Sequence, residues 1–299
     1  MRRLVGLGMG CLAMGVAVWG VLAEETRESK EMNWMKKTLP MEGEIFSLQG
    51  HAAFVIPPAP QAPMAAGKDA AHALPWVWYA PTLHDLPGET EKWMFEKFTN
   101  AGMAIAGVNV GESYGNLDGR ALFTALYEEL TRKRGFSKKA CLLARSRGGL
   151  MHYNWAVENP SLVACIAGIY PVCDFRSYPG LKQACGAYHM TESELAAKLV
   201  DHNPIDRVES LAKARVPIFH IHGDSDKTVP LDKNSGALAE RYRGFGGEMR
   251  LKVIEGRGHD WWSGWFQCQE LVDFVIAHAD KGEVPAKPDE AKKDATKEE

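Results

Sequence analysis

From residue 76 onward, short apolar runs alternate with longer stretches in which apolar residues recur every three or four positions. The apolar runs lie at 76–79, 103–110, 140–144, 163–170, 216–221 and 249–254. The amphipathic stretches lie at 92–101, 120–134, 148–158 and 267–278. Short buried strands separated by amphipathic helices predict an α/β fold, with a mostly parallel central sheet and helices on both faces.

Other segments depart from this order and set the expected boundaries. Residues 44–56 alternate polar and apolar positions, which predicts a strand or hairpin, and the Pro- and Ala-rich stretch 57–71 breaks regular structure. Residues 175–215 interrupt the strand–helix order, which predicts a small helical insert over the strand ends. We therefore expect a flexible lead-in at 24–40 and one α/β domain at 41–280.

Both ends of the chain differ from this domain. Arg2 and Arg3 precede an apolar run at 4–22, and small residues precede Glu24. This layout predicts a signal peptide at 1–23, hence export to the periplasm or outside the cell; a retained membrane anchor is the alternative. Residues 281–299 are charged and lack an apolar pattern, so we expect a disordered tail.

Composition narrows the possible partners. The 299 residues are 45% hydrophobic and 24% charged, with a formal net charge of -3. These values are ordinary for a globular protein, and no basic stripe indicates binding to nucleic acid or an anionic membrane. The oligomeric state is left open.

The cysteines indicate buried thiols rather than a metal site. Cys141 and Cys165 lie in apolar runs, so we expect buried free thiols. Cys173 and Cys185 flank a loop-rich stretch and form a disulfide in one interpretation, whereas in the other all the cysteines, Cys268 included, are reduced. No Cys-x-x-Cys pair or spaced Cys/His set occurs, so we expect no metal.

The strongest chemical signal is a serine between a strand and a helix. Ser146 follows the apolar run 140–144, and small residues, Ala144 and Gly148, lie two positions before and after it. A nucleophile on a sharp strand-to-helix turn requires small neighbours because the surrounding backbone passes close by. Ser146 is therefore the candidate nucleophile.

A nucleophilic serine requires a base and an acid that orients the base. An acidic turn with Asp224 and Asp226 follows the run 216–221, and a glycine-rich turn with His259 follows the next strand. The order Ser, Asp, His is that of α/β-hydrolases. His220 and His222 lie in or at the end of a strand, and we expect them to be structural.

The stretch His222-Gly223-Asp224-Ser225-Asp226-Lys227-Thr228-Val229-Pro230 reproduces His-Gly-x-x-Asp-x-x-Val-Pro in full. With the serine turn, the chain over residues 76–278 resembles the α/β-hydrolase superfamily, and within it the prolyl-oligopeptidase-like and acetylxylan-esterase-like branch. The resemblance implies Asp226 as the acid, with Asp224 second, and His259 as the base.

The oxyanion hole is expected to use two backbone amides, one of them that of Arg147. The resemblance implies that the second lies after the first central strand, where many relatives carry His-Gly and this chain has Ala80-Pro81. Proline has no N–H, so we expect Thr82 to supply this amide, with Leu83 as second choice. Leu83 is also a candidate substrate contact.

Several side chains near the nucleophile are candidates for substrate contacts. The Ser-Arg-x-Gly turn also resembles glucuronoyl esterases, and Arg147 either binds an oxyanion, carboxylate or sulfate or pairs with Glu112. Glu112 either orients substrate or stabilises its loop. Trp261 and Trp262 follow His259 and either stack on sugar rings or form hydrophobic walls. Arg145 is expected to brace the turn.

The sequence therefore predicts an exported serine hydrolase that needs no cofactor. The leading hypothesis is hydrolysis of an ester, on a carbohydrate or another small molecule, through an acyl-enzyme. An oligopeptidase-type peptidase is the alternative, against which the chain lacks room for the propeller domain usual in that family. A non-catalytic binding module is the third hypothesis.

Overall fold

The computed structural model describes residues 37–62, 73–280 and 282. The predicted signal peptide, most of the lead-in and almost the whole charged tail lie outside these residues. At the described end of the lead-in, Lys37 is buried, and its Nζ donates to the carbonyls of Leu83 (2.9 Å) and Leu86 (2.7 Å). The packed domain thus extends to before residue 41. No helix in the described part of the chain has the length and apolar character needed to cross a bilayer.

Among the described residues, eight strands form one sheet, in the order β1-β2-β4-β3-β5-β6-β7-β8. The strands are β1 (Glu44–Leu48), β2 (His51–Ile56), β3 (Trp76–Ala80), β4 (Ala104–Val108), β5 (Ala140–Arg145), β6 (Val163–Ile169), β7 (Ile218–Gly223) and β8 (Met249–Ile254). Pairing is parallel from β4 to β8, whereas β2 is antiparallel to both β1 and β4. The predicted mostly parallel sheet and the hairpin at 44–56 are confirmed.

The helices follow the strands as predicted, with two differences. They are α1 (Lys92–Asn100), α2 (Leu117–Glu128), α3 (Gly148–Ala156), α4 (Leu181–Ala184), α5 (Glu192–Ala197), α6 (Leu199–His202), α7 (Glu209–Lys213), α8 (Ser235–Gly244), α9 (Ser263–Phe266) and α10 (Gln269–His278). The helix predicted at 120–134 ends in a π-helical turn, Glu129–Lys133. The sequence analysis missed the four-residue α9 and also α8, whose apolar stripe is short and which contains two glycines. The predicted insert consists of the short helices α4 to α7.

Successive residues of the central strands face opposite sides of the sheet. In β3, Trp76 and Trp78 pack in the core beneath α2 and α3, where they join Trp155, and Val77 and Tyr79 pack in the core beneath α1 and α10. Both faces are therefore covered, as the apolar strands predict.

All five cysteines in the described residues are free thiols. Cys141 and Cys165 are buried, as predicted. The Cys173–Cys185 disulfide is not formed. The Cys173 thiol points to the Pro171 carbonyl at 3.6 Å, whereas that of Cys185 points to the Lys182 carbonyl at 3.3 Å.

The start of α3 lies against the end of β3 with no room for a side chain. A Cβ atom added at Gly148 would lie 2.2 Å from the Ala80 carbonyl oxygen and 2.6 Å from the Pro81 nitrogen. Both neighbours are backbone atoms, which cannot move aside by changing a rotamer. Gly148 therefore sets how closely the turn after β5 approaches the loop after β3.

We expect Gly148→Ala to lower the free energy of unfolding by about 2 kcal/mol, the usual cost of forcing atoms into a packed site. Chemical denaturation of both proteins measures the change. Gly244→Ala is the matched control, because a Cβ there meets no atom within 4 Å. Equal stability of the two variants would show that the contact at Gly148 yields without cost.

His152, on α3, is buried in an aromatic environment without a hydrogen-bond partner. Its ring lies 5.4 Å from that of Phe123 and 5.7 Å from that of Trp78. Neither ring nitrogen of His152 bonds to a described residue, and the Trp78 indole N–H is also unpartnered. Burial lowers the pKa of His152 to about 3.

This buried histidine makes stability depend on pH. Below pH 6.5 the histidine is protonated in the unfolded chain but stays neutral in the folded chain. The free energy of unfolding therefore decreases as the pH falls. Between pH 7 and pH 5, His152→Leu is expected to lose about 2 kcal/mol less stability than the parent protein. Urea unfolding at the two pH values measures the difference. His51→Leu, at an exposed position, is the control, and an equal benefit there would contradict the assignment.

Candidate active site

Ser146 lies on the turn between β5 and α3 in a left-handed backbone conformation, with φ 49°. Such a conformation is unfavourable for a residue other than glycine and persists only where the surroundings hold it. Here the Ser146 amide donates to the Ile169 carbonyl (3.0 Å), and the Ser146 carbonyl accepts from the amides of Val172 (2.8 Å) and Gly149 (2.9 Å). The turn is fastened to the neighbouring strand and presents the serine hydroxyl.

The structure brings Ser146, His259 and Asp226 together. Ser146 Oγ lies 3.0 Å from His259 Nε2, and His259 Nδ1 lies 2.8 Å from Asp226 Oδ2. Since a carboxylate accepts, Nδ1 carries the proton in the neutral ring, and the Nε2 lone pair faces the serine hydroxyl. This arrangement suits proton removal from Ser146.

The carboxylate of Asp226 is buried and is held from several sides. Its Oδ1 accepts from the amides of Thr228 (2.9 Å) and Val229 (2.8 Å), and His222 Nε2 lies 3.4 Å from Oδ2. Burial raises the pKa of Asp226, but hydrogen bonds from His222, His259 and Val229 outweigh it and hold the pKa below its ordinary value. Asp226 is therefore ionised.

Asp224, the second-choice acid, has another position. Its Oδ1 accepts from the Gly256 amide (2.8 Å) and the Ser225 hydroxyl (3.0 Å). It joins the loops after β7 and β8 and so stabilises the turn between β7 and Asp226.

Tyr170, which the sequence analysis missed, packs on His259. Its ring centroid lies 4.3 Å from that of the imidazole, and the edge of Trp265 contacts the tyrosine from another side. Tyr170 also has a positive φ (36°), and its amide donates to the Ile221 carbonyl at 2.9 Å. Its position directly after β6, the strand beside β5, was the available signal.

A pocket of about 220 Å³ opens at Ser146 and His259. Its apolar wall consists of Pro81, Leu86, Tyr170, Tyr178 and Trp261. Its polar wall consists of Arg145, Arg147, Thr228 and Asp260. Of the predicted substrate contacts, Trp261 forms part of this lining, whereas Leu83, Glu112 and Trp262 do not. A larger depression of about 580 Å³ between β8 and α10 contains none of the three residues of the Ser–His–Asp arrangement.

The loop after β3 narrows the choice of the second oxyanion donor. The Leu83 amide donates to the Leu86 carbonyl at 3.1 Å, so the second choice, Leu83, is already engaged. The Thr82 hydroxyl donates to the Tyr79 carbonyl at 3.2 Å. The backbone amides of Thr82 and Arg147 donate to no residue in the described parts of the chain.

The two arginines beside Ser146 have different partners. Arg147 is partly exposed, and its Nη1 donates to Glu112 Oε1 at 2.7 Å, the ion-pair alternative of the sequence analysis. Arg145 is buried, pairs with Glu91 and lies 4.4 Å from the centre of the Trp261 ring. Arg145 thus braces the turn from below, as predicted.

The residues around Trp262 explain why it does not reach the pocket. The Arg257 guanidinium lies 4.5 Å from the centre of its ring. The Trp262 amide donates to Asp260 Oδ1 (3.1 Å), which also accepts from the Trp265 indole (2.7 Å). Trp262 and Trp265 therefore stabilise this loop, and Trp261 remains 67% exposed at the pocket.

Known proteins with similar sequence or structure were compared with this chain. Residues 123–281 match the model of the prolyl oligopeptidase family. No curated protein sequence gave a significant match.

Several solved structures have a similar fold. A puromycin hydrolase is 19% identical with a TM-score of 0.58, covering 83% of this chain and 40% of its own. A puromycin-hydrolysing peptidase of Mycobacterium tuberculosis is 16% identical with a TM-score of 0.60, covering 79% and 39%. A putative dipeptidyl aminopeptidase IV from Bacteroides ovatus is 13% identical with a TM-score of 0.63, covering 80% and 35%.

At these identities the likeness concerns the fold, and this chain spans about two fifths or less of the length of those proteins. None of these three is an acetylxylan esterase, so only the oligopeptidase part of the predicted branch is supported. The family match covers more than half of the residues, and the chain therefore belongs to the prolyl oligopeptidase family of α/β-hydrolase-fold serine hydrolases.

Proposed function

We propose that this protein is a serine peptidase that cleaves short peptides or aminoacyl amides through an acyl-enzyme. The observation that carries the proposal is the Ser146–His259–Asp226 arrangement, with 3.0 Å between Oγ and Nε2 and 2.8 Å between Nδ1 and Oδ2. The family match and the peptidases among the structures of similar fold favour amide over ester substrates.

In the first half of the reaction, Ser146 Oγ attacks the carbonyl carbon while its proton passes to His259 Nε2. The negative oxygen that forms accepts hydrogen bonds from the amides of Arg147 and Thr82. Arg147 precedes the first turn of α3, whose N-terminal amides favour negative charge there. When the tetrahedral intermediate collapses, His259 returns the proton to the departing amine and the acyl group stays on Ser146.

In the second half, His259 takes a proton from water while the water oxygen attacks the acyl carbon. His259 then returns this proton to Ser146 Oγ as the bond between Oγ and the acyl carbon breaks, and the acid is released. Asp226 stays ionised throughout and stabilises the imidazolium that forms in each half. Every proton moves between Ser146, His259, substrate and water, so the cycle requires no cofactor.

The pocket suits a small substrate. A volume of about 220 Å³ accommodates a side chain beside the scissile bond, and Tyr170, Tyr178 and Trp261 offer it flat apolar surfaces. Arg147 and Glu112 form an exposed pair beside the nucleophile, where their charges reach the polar ends of a short peptide. These features favour apolar residues next to the cleaved bond.

Replacing Ser146 tests the nucleophile. Ser146→Ala should lower kcat/KM for a dipeptidyl p-nitroanilide by a factor of about 10³ or more. A fluorophosphonate probe should label the parent protein and not the variant, and Tm should stay nearly unchanged. Ser47→Ala, on the exposed side of β1, should keep both labelling and activity. Labelling of Ser146→Ala would show that the nucleophile is misassigned, and an unlabelled parent protein would favour a binding module.

A substrate comparison tests peptidase against esterase. Activated esters react with peptidases as well, so the comparison needs unactivated substrates: short peptides on one side, and acetylated, feruloylated and methyl-uronate sugars on the other. We expect Ser146-dependent cleavage of peptides with an apolar residue before the scissile bond, followed by mass spectrometry. Turnover of the sugar esters without cleavage of any peptide would assign ester hydrolysis instead.

A further inference from the structure

Beyond the three residues of the Ser–His–Asp arrangement, an unbroken line of buried polar groups leads from Asp226 into the core. His222 Nδ1 lies 2.8 Å from Ser235 Oγ, and the same oxygen lies 2.9 Å from His220 Nδ1. His220 Nε2 lies 2.8 Å from the Tyr153 hydroxyl. The side chains of Tyr153, His220, His222 and Ser235 are all fully buried.

The neighbours of His222 give this line a direction. His222 Nε2 faces two acceptors, the Val229 carbonyl at 2.8 Å and Asp226 Oδ2 at 3.4 Å, so Nε2 carries a proton. In the neutral ring, Nδ1 then accepts the Ser235 hydroxyl proton. Ser235 Oγ in turn accepts from His220 Nδ1–H, which leaves His220 Nε2 to accept from Tyr153.

The opposite direction fails on the same geometry. It would place the lone pair of a neutral His222 Nε2 against the Val229 carbonyl and the Asp226 carboxylate, where two acceptors would repel it. Burial also lowers the pKa of His220 to about 3, with His222 as a second cause, so His220 is a neutral ring with one donor and one acceptor. With both imidazole rings neutral, one consistent set of protons remains, in which every group donates in the direction of the Val229 carbonyl and Asp226.

We propose that Ser235 and His222 are positioning residues that hold Asp226 Oδ2 for His259 through this directed chain. The inference rests on the proposed function, because the carboxylate that they hold is the one that orients the base. Hydrogen bonds aligned in series polarise one another, and the low polarity of the core strengthens them. His222 Nε2–H bonds to the Val229 carbonyl, and Nε2 also lies 3.4 Å from the carboxylate oxygen that accepts from His259 Nδ1.

The chain also joins separate elements of the fold. Tyr153 is on α3, the helix that begins directly after the nucleophile turn, His220 and His222 are on β7, and Ser235 begins α8. The line begins at Ser146, on the turn before α3, and ends at Tyr153, on α3 itself. Between them it passes through His259, Asp226, His222, Ser235 and His220. A shift of α8 or β7 is transmitted to the carboxylate.

Other titratable groups around the chain are few among the described residues. Burial raises the pKa of the Tyr153 hydroxyl well above its ordinary value. Two neighbours raise it further: Cys173, from the segment after β6, and Tyr242, from α8. His259 faces Asp226 from the loop after β8. The thiol and both phenols keep their protons in the range where peptidases work, so they do not contribute to the acid limb of activity.

Ser235→Ala removes one link without adding bulk. Without the Ser235 hydroxyl, the His222 N–H is less polarised and neutralises less of the negative charge on Asp226 Oδ2. This charge stabilises protonated His259, so the acid limb of kcat/KM should move to higher pH by about half a unit. We expect kcat for a peptide anilide to fall about tenfold, the rate equivalent of one hydrogen bond to a charged group, with KM unchanged. Ser235→Thr, which retains the hydroxyl, should restore the pH profile, and Tyr153→Phe should change it in the same direction but less.

Ser137→Ala is the matched control, because Ser137 is equally buried and its hydroxyl donates to a backbone carbonyl away from the site. A merely structural Ser235 would lower Tm as in this control and leave the pH profile in place, which would overturn the proposal. Absence of Ser146-dependent turnover in the parent protein would instead remove the proposed function.

Nitrogen-15 NMR spectra of the parent protein at neutral pH test the direction of the hydrogen bonds. The measurement requires neither enzymatic turnover nor a substituted protein. We expect the Nε2–H tautomer at His222 and the Nδ1–H tautomer at His220. The reversed tautomer at either histidine would overturn the directed chain even if Ser146 proves to be the nucleophile.

Discussion

The left-handed turn at Ser146 is the constraint on which the site depends. A residue with a side chain adopts φ 49° only if bonds and close contacts leave it no alternative. The carbonyl of Ile169 and the amide of Val172 bind the turn to the strand beside it, and Gly148 allows the Ala80 carbonyl to lie against the start of α3. The same contacts place the amide of Arg147, which donates to none of the described residues, near the loop of Thr82, so the strain at the serine and the proposed oxyanion hole have one origin.

The site also requires that its two buried charges, those of Asp226 and Arg145, are compensated. Asp226 is buried and ionised, which is stable only because two backbone amides and the His259 imidazole donate to it and His222 Nε2 lies 3.4 Å away. Arg145 is buried next to the nucleophile, and Glu91, itself bound by the Tyr79 hydroxyl, balances it. Asp226 and Arg145 each have their own partners of opposite charge or polarity, so the two charges do not pair with each other. The reactive serine therefore has near it two buried charges that are already compensated.

The sequence was sufficient where the signal is local. Apolar runs and amphipathic stretches predicted most strands and helices, and the turn residues around Ser146, Asp226 and His259 predicted the residues that the structure brings together. Prediction failed where the answer depends on the packing of neighbouring strands or where the local pattern is weak. Tyr170 becomes part of the pocket because β6 lies beside β5, Leu83 is unavailable because its amide closes a short turn with Leu86, and the short stripe of α8 was too weak to identify a helix.

The histidines of the strand before the acid show that structural and functional roles are not alternatives. His220 and His222 were expected to be structural, and their burial agrees. Yet a buried neutral imidazole has one donor and one acceptor, so two of them joined by a serine hydroxyl necessarily carry a direction. In this fold the direction leads to the carboxylate that orients the base. If the order of protons holds, the strand that supports the core also sets the charge that His259 experiences, and core substitutions two links from the acid should change chemistry before they change stability.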